Sequence, residues 1–228
     1  MDSHPASNAS VRPAGAHRPA TVGMLCAVAY VVMLIGQLIP PVMFLSYDPK
    51  DVIIVISGFI FGPLTAVLIT VLVDLVEMVT VSSTGVYGFI MNTVQTCSFV
   101  VPAVLIYQRW RTSKGAIGGL AAAVVSMTAM MCLWNYIITP FYMGQPREAV
   151  AAMLPTLFLP FNLVKGTINA GLTLLLYKPM VTALRRANLV EPSAGSGGTG
   201  GLNWGMVLLG AVLTLTGVLL ILVMLGVI

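Results

Sequence analysis

Charge is scarce in this chain. Asp, Glu, Lys and Arg together make up 8% of its 228 residues, where a soluble domain carries about 25%. So little polar surface excludes a domain that faces water on all sides. The net charge of +4 and pI near 9.1 would in principle suit nucleic acid. The basic residues, however, stand singly or in pairs at the ends of apolar runs and form no stripe, so no nucleic-acid partner is expected. Cysteine is also rare. Cys26, Cys97 and Cys132 all lie inside apolar stretches and make no CxxC pair, which excludes a disulfide framework and leaves them as small buried hydrophobes. Catalytic signatures are missing too: there is no GxxxxGK[ST], HExxH or GxSxG. The glycine-rich stretch before Leu202 lacks the lysine and the strand that a phosphate loop needs. An enzyme, a metal site and a bound cofactor are therefore not expected.

What is abundant is apolar sequence, 58% of residues with a mean hydropathy of +0.98. A membrane-spanning helix needs about 20 mostly apolar residues. The first such run covers residues 21–39 and is expected to stop at Pro40-Pro41, because proline has no N–H to donate. No A-x-A-like cleavage site follows, so it is expected to be retained. A polar loop, 42–51, leads to a short helix at 52–61, and Gly62-Pro63 breaks it from the next at 64–79. Further helices are expected at 87–107, at 117–138 with a break at Pro140, and at 157–184. Residues 1–20, rich in Ala, Ser and Pro, are expected to form a disordered cytoplasmic tail. Residues 188–201 hold a Gly/Ser run typical of a flexible linker, and 202–228 contain no charged residue and are long enough to span. The expected fold is all-α: a polytopic membrane bundle at 21–187 plus one extra C-terminal transmembrane helix.

Lysine and arginine set the orientation. With the N-terminus inside, Arg12, Arg18, Arg109, Arg111, Lys114, Lys178, Arg185 and Arg186 fall inside, Lys50 and Arg147 outside, and Lys165 within the membrane. Ionisable groups at membrane depth cost roughly 2.5–3.5 kcal/mol on insertion scales, so each is a functional candidate. Asn162, Lys165 and Asn169 are spaced i, i+3, i+7 and share one helix face. Asn135, on the preceding helix, is expected at similar depth. Amides offer a donor and an acceptor together, and a lysine adds donors, a set that suits a neutral, flat, carbonyl-rich ligand. Tyr47, Trp134, Tyr136, Phe141, Tyr142, Phe158 and Phe161 fall at the same level, as an interfacial belt or as pocket walls. Asp74 and Glu77, i and i+3, are placed at the outer end of their helix. Solvation there, or a role as a cation relay, are both open to them. Asn92 and Gln95 are expected to bond to neighbouring helices. Gly23 and Ala27 form a small-xxx-small pair on the first helix.

The segments Leu45-Ser-Tyr-Asp-Pro-Lys-Asp51, Gly58-Phe-Ile-Phe-Gly-Pro63, Trp134-Asn-Tyr-Ile-Ile-Thr-Pro140 and Phe161-Asn-Leu-Val-Lys-Gly166 follow one another in this order. Together they resemble the riboflavin-binding S components of energy-coupling factor (ECF) transporters, over about residues 20–187. The resemblance implies a six-helix membrane core that binds riboflavin from outside, in the cell membrane. It implies that Asn135, Asn162 and Lys165 hold the ring. The loop that includes Leu45, Tyr47, Asp48 and Lys50 would close over it, and Gly23 and Ala27 would pack against a transmembrane T component driven by two ATPases. The helix at 202–228 lies outside that six-helix pattern. Two alternatives stand beside this reading: an S component for another vitamin, and a stand-alone cation-coupled transporter using Asp74 and Glu77. Like-charge repulsion from Lys165 disfavours a cationic vitamin such as thiamine.

Overall fold

The structure, a computed structural model, describes residues 17–187, 189–190 and 204–227. The expected tail at 1–16 and most of the expected linker lie outside the described residues. Among the described residues every extended element is a helix, and the connections hold one isolated bridge, between Val42 and Leu45. The helices are α1 (His17–Gly36), α2 (Lys50–Phe61), α3 (Pro63–Thr80), α4 (Gly85–Arg109), α5 (Ser113–Met143), α6 (Arg147–Met153), α7 (Leu159–Arg186) and α8 (Trp204–Met224). Six helical stretches are long and apolar enough to cross a membrane, with α6 and α7 counted as one and α2 too short. Their outward faces carry large apolar side chains in the open, among them Val31, Leu64, Leu68, Leu105, Val125, Leu208 and Leu215. That is the surface a bilayer covers.

Local sequence explains most boundaries. Gly62, with φ at 98°, turns the chain between α2 and α3, and Pro63 starts the next helix where a missing N–H costs nothing. Thr112 caps α5, its side chain accepting from Gly115 N at 3.1 Å. Other boundaries correct the expectations. The N-terminal residues from His17 onward are already helical, so α1 begins inside the expected tail. α5 does not break at Pro140. It runs on to Met143 and stops at Gly144, whose left-handed backbone supplies the C-cap. Near a helix end Pro140 withholds one hydrogen bond only, too little to stop the last turn. The final core helix starts not near 157 but at Arg147. It passes through a π-helical turn, Leu154–Phe158, where Leu159 N bonds back to Leu154 O. Pro155 lies at the start of that turn and Pro160 just beyond it, and widening the turn accommodates the N–H groups they lack.

α2 is the centre of the molecule. Every residue from Lys50 to Gly58 is buried, against α1, α3, α4 and α7, which is what a helix apolar all round requires. In a bilayer, lipid is as apolar as leucine, so helices associate through close packing and polar bonds. Small residues provide the close approach: a Cβ on Gly119 would lie 2.8 Å from Ala103 O, across the α4–α5 interface. α8 packs antiparallel along α7, with Met206 and Val207 near Lys178 at one end and Leu225 near Phe161 at the other.

Candidate ligand-binding site

The loop between α1 and α2 is built to fold over one end of the bundle. Val42 and Leu45 exchange backbone hydrogen bonds at 2.9 Å, and Met43 sits at the tip with φ at 56°. Further on, Asp48 Oδ1 accepts from Lys50 N at 3.0 Å, an Asx-type turn that launches α2. Beneath this loop is a cavity of about 420 Å³, within the range of small-molecule sites. Its walls include Phe44, Leu45, Tyr47, Tyr87, Tyr142 and Phe161. The polar groups lining it include Asp48, Glu77, Asn92, Gln95, Asn135, Asn162 and Lys165.

The expected pair of asparagines and the lysine are thus brought together, from α5 and α7. Asn135 and Asn162 are each tied down by one N–H, to Met131 O and to Phe158 O, both at 2.7 Å. Thr139 also donates to Asn135 Oδ1 at 3.0 Å. Each amide therefore has a fixed orientation and keeps a second N–H, and Asn162 keeps its carbonyl oxygen as well. Lys165 is buried and directs its ammonium to Gln95 Oε1 at 3.0 Å and to Ser46 O of the loop at 3.3 Å. Such a group placed beside amides can hold a carbonyl-bearing ring by charge-assisted hydrogen bonds.

Asn169 and Lys50, read from sequence as ligand contacts, have other positions. Asn169 is fully buried behind the cavity wall. It accepts from Tyr47 Oη at 2.8 Å and donates to Asp48 O at 3.2 Å and Asp51 Oδ2 at 3.1 Å. It holds the loop from below. Lys50 belongs to the first turn of α2, not to an open loop, and is fully buried. Its Nζ lies 2.6 Å from Asp48 Oδ2, 2.9 Å from Asp74 Oδ1 and 2.5 Å from Glu77 Oε2. Asp74 and Glu77 are therefore not simply solvated at a helix end. Thr93 donates to Asp74 Oδ2 at 2.8 Å and Asn92 to Glu77 Oε1 at 2.9 Å. Burial works against the Asp48 charge, but Lys50 and then Lys165 outweigh it, holding that carboxyl below its usual range. Burial and the nearby carboxylates of Asp51 and Asp48 push the Tyr47 phenol upward, so it remains a donor to Asn169.

Gln95 and Asp51 were missed as site residues. Gln95 receives Lys165 and reaches Asp51 Oδ2 at 3.4 Å, and Asp51 also accepts from Thr96 at 2.7 Å. The available signal was a polar run, Asn92, Thr93, Gln95 and Thr96, in an otherwise apolar α4. Of the expected aromatics, Phe158 is buried and meets Phe44 edge-on at 5.8 Å, while Tyr136 and Phe141 are exposed. Gly23 and Ala27 lie exposed on α1, and no atom comes within 4 Å of a Cβ built on Gly23. A second cavity, about 450 Å³, opens at the other end of the bundle between Tyr107, Lys178 and Arg185.

The model of the family of ECF transporter substrate-specific components matches residues 18–177. The riboflavin transporter RibU of Staphylococcus aureus (strain TCH60) is 28% identical over 175 residues, 73% of this chain and 91% of that protein. The riboflavin transporter FmnP of Bacillus subtilis (strain 168) is 27% identical over 181 residues, 74% of this chain and 95% of that protein. Among solved structures, the S component of a bacterial ECF transporter superposes with a TM-score of 0.62 at 27% identity. That match covers 74% of this chain and 98% of the other.

Proposed function

The chain belongs to the ECF transporter substrate-specific components, and on that premise we propose that it captures riboflavin in the cavity beneath the α1–α2 loop. The observation that carries this reading is the convergence of Asn135, Asn162 and Lys165 on one aromatic-walled cavity. The names of the relatives in Staphylococcus aureus and Bacillus subtilis support the choice of vitamin. Riboflavin's ring is flat and uncharged and carries carbonyl and N–H groups, which two oriented amides and an ammonium complement. The chain contributes binding and no covalent chemistry. Energy comes from a T component and two ATPases, and the exposed Gly23–Ala27 strip on α1 is the surface offered to the T component.

The basic residues Arg109, Arg111, Lys114, Lys178, Arg185 and Arg186 lie at the end opposite the cavity. By the positive-inside rule that end is cytoplasmic, with the N-terminus, and the cavity opens outside the cell membrane. A stand-alone cation relay through Asp74 and Glu77 is disfavoured, because Lys50 engages both carboxylates.

The test is titration of riboflavin fluorescence against the purified chain in detergent. Stoichiometric quenching is expected, weakened at least about tenfold in Lys165→Ala and in Asn162→Ala, since each loses a hydrogen bond to the ring. Unchanged affinity in both folded variants would refute the site. An absence of quenching by the folded parent chain would refute the vitamin.

A further inference from the structure

α8 lies beyond the residues that the family match covers, yet it does not stand apart from the bundle. A Cβ on Gly171 would lie 2.8 Å from Gly210 O, and one on Gly210 2.8 Å from Gly171 O. A Cβ on Gly217 would run into the Ile168 side chain. These close approaches fix the register of α8 along α7, as small residues do between membrane helices.

That register delivers the far end of α8 to the loop over the cavity. Ile221 is buried in one cluster with Tyr47, Val164 and Ile168, and Leu225 packs against it. Met224 and Leu225 also pack against the cluster of Val42, Leu157 and Phe161, alongside Phe44 and Leu45. The loop residues Phe44, Leu45 and Tyr47 line the cavity, whereas Ile221, Met224 and Leu225 do not. α8 therefore reaches the loop from the side away from the ligand. The loop's other ties are Lys165 to Ser46 O, Tyr47 and Asp48 O to Asn169, Asp48 to Lys50, the edge-on contact of Phe44 with Phe158, and the internal bonds of Val42 and Leu45.

We infer that α8 is a built-in clamp on this lid, so that Ile221, Met224 and Leu225 set how long the ligand stays without touching it. A contact that must break whenever the lid lifts raises the barrier to opening, so it slows release of a bound ligand, and because it is already made over the empty cavity it slows entry as well. For the ligand this rests on the riboflavin reading; for the lid it does not.

The experiment uses the full chain in detergent and compares it with the Ile221→Ala/Leu225→Ala double variant, with Gly217→Val, and with Leu220→Ala on the exposed face of α8. Hydrogen exchange of residues 42–48 is read without ligand, and riboflavin release is read by recovery of its fluorescence. The clamp predicts about tenfold faster exchange at Leu45 and about tenfold faster release in the double variant. Leu220→Ala should change neither. Gly217→Val, which pries α8 from Ile168, should reproduce both effects and decides the matter if the double variant does not fold. Rates within about twofold of the parent in the folded variants overturn the clamp, and so does faster exchange without faster release. If the parent binds no riboflavin, it is the ligand reading that falls, and the exchange arm alone decides whether α8 clamps the lid.

Discussion

Lys50→Met separates two roles for one residue. If Lys50 were a ligand contact on an open loop, its loss would weaken binding and leave the fold intact. Its position predicts the reverse. Lys50 is fully buried and faces Asp48, Asp74 and Glu77, all within 3 Å. Methionine matches its length and would leave those carboxylates without their cation. Removing one partner of a buried ion pair costs about 3–5 kcal/mol, most of it the price of the charge left behind. Thr93 and Asn92 still donate to Asp74 and Glu77 in the variant, so the lower end, about 3 kcal/mol, is expected. For a chain of this length that is a fall of roughly 6–12 °C in Tm, read by thermal unfolding in detergent without ligand. Asp74→Asn in the same background removes the most buried orphaned charge and should restore about half of the loss. A Lys50→Met variant that melts within about 2 °C of the parent but no longer binds riboflavin would refute the reasoning and return Lys50 to the ligand.

Tyr47→Phe deletes the hydroxyl that donates to Asn169 Oδ1 and leaves that acceptor buried. A loss of about 1–2 kcal/mol in the closed lid should appear as release of riboflavin faster by roughly 5- to 30-fold in stopped-flow fluorescence. Acid should also loosen the lid. The Asp48 carboxyl is held below its usual range, so the stability it contributes is fully present above the unfolded value of about 3.9 and is lost as pH falls through the lowered one. Asp48→Asn should therefore flatten the dependence of Tm on pH below about 4, measured by thermal unfolding across that range.

Most of the helices could be read from residue order alone, because glycine, proline and charge mark where apolar runs end. Gly62-Pro63 separates α2 from α3 in sequence and in space for the same backbone reason. Where proline misled, at Pro140, the local rule was right but incomplete: a missing N–H is tolerated in a last turn, just as one is absorbed by the π-helical turn at Pro155 and Pro160. The convergence of Asn135 with Asn162 and Lys165 was legible because helical spacing and depth are local quantities. The destination of Lys50 was not. Its partners Asp74 and Glu77 come from another helix, and only the packing of α2 against α3 brings the charges together. From sequence Lys50 belonged to a string of polar loop residues, and nothing in that string tells an inward ammonium from an outward one.

The charge cluster and the ligand cavity share members, and that sharing shapes how the lid works. Asp48 sends its side chain to Lys50 and its backbone carbonyl to Asn169, while Lys165 reaches Ser46 O two residues earlier. The loop's second half is thus anchored to the core by fixed polar bonds, whereas its first half, from Val42 to Leu45, is held by internal bonds and by apolar contact with α7 and α8. Polar bonds have sharp geometric demands and break singly. Apolar contacts tolerate sliding and can be remade. A lid with a polar hinge and an apolar tip would open from the tip, with Phe44 and Leu45 leaving before Asp48 moves. Such an order keeps Lys50 covered by its carboxylates throughout, so that the cavity can admit a ligand without exposing the charge that holds α2 in place.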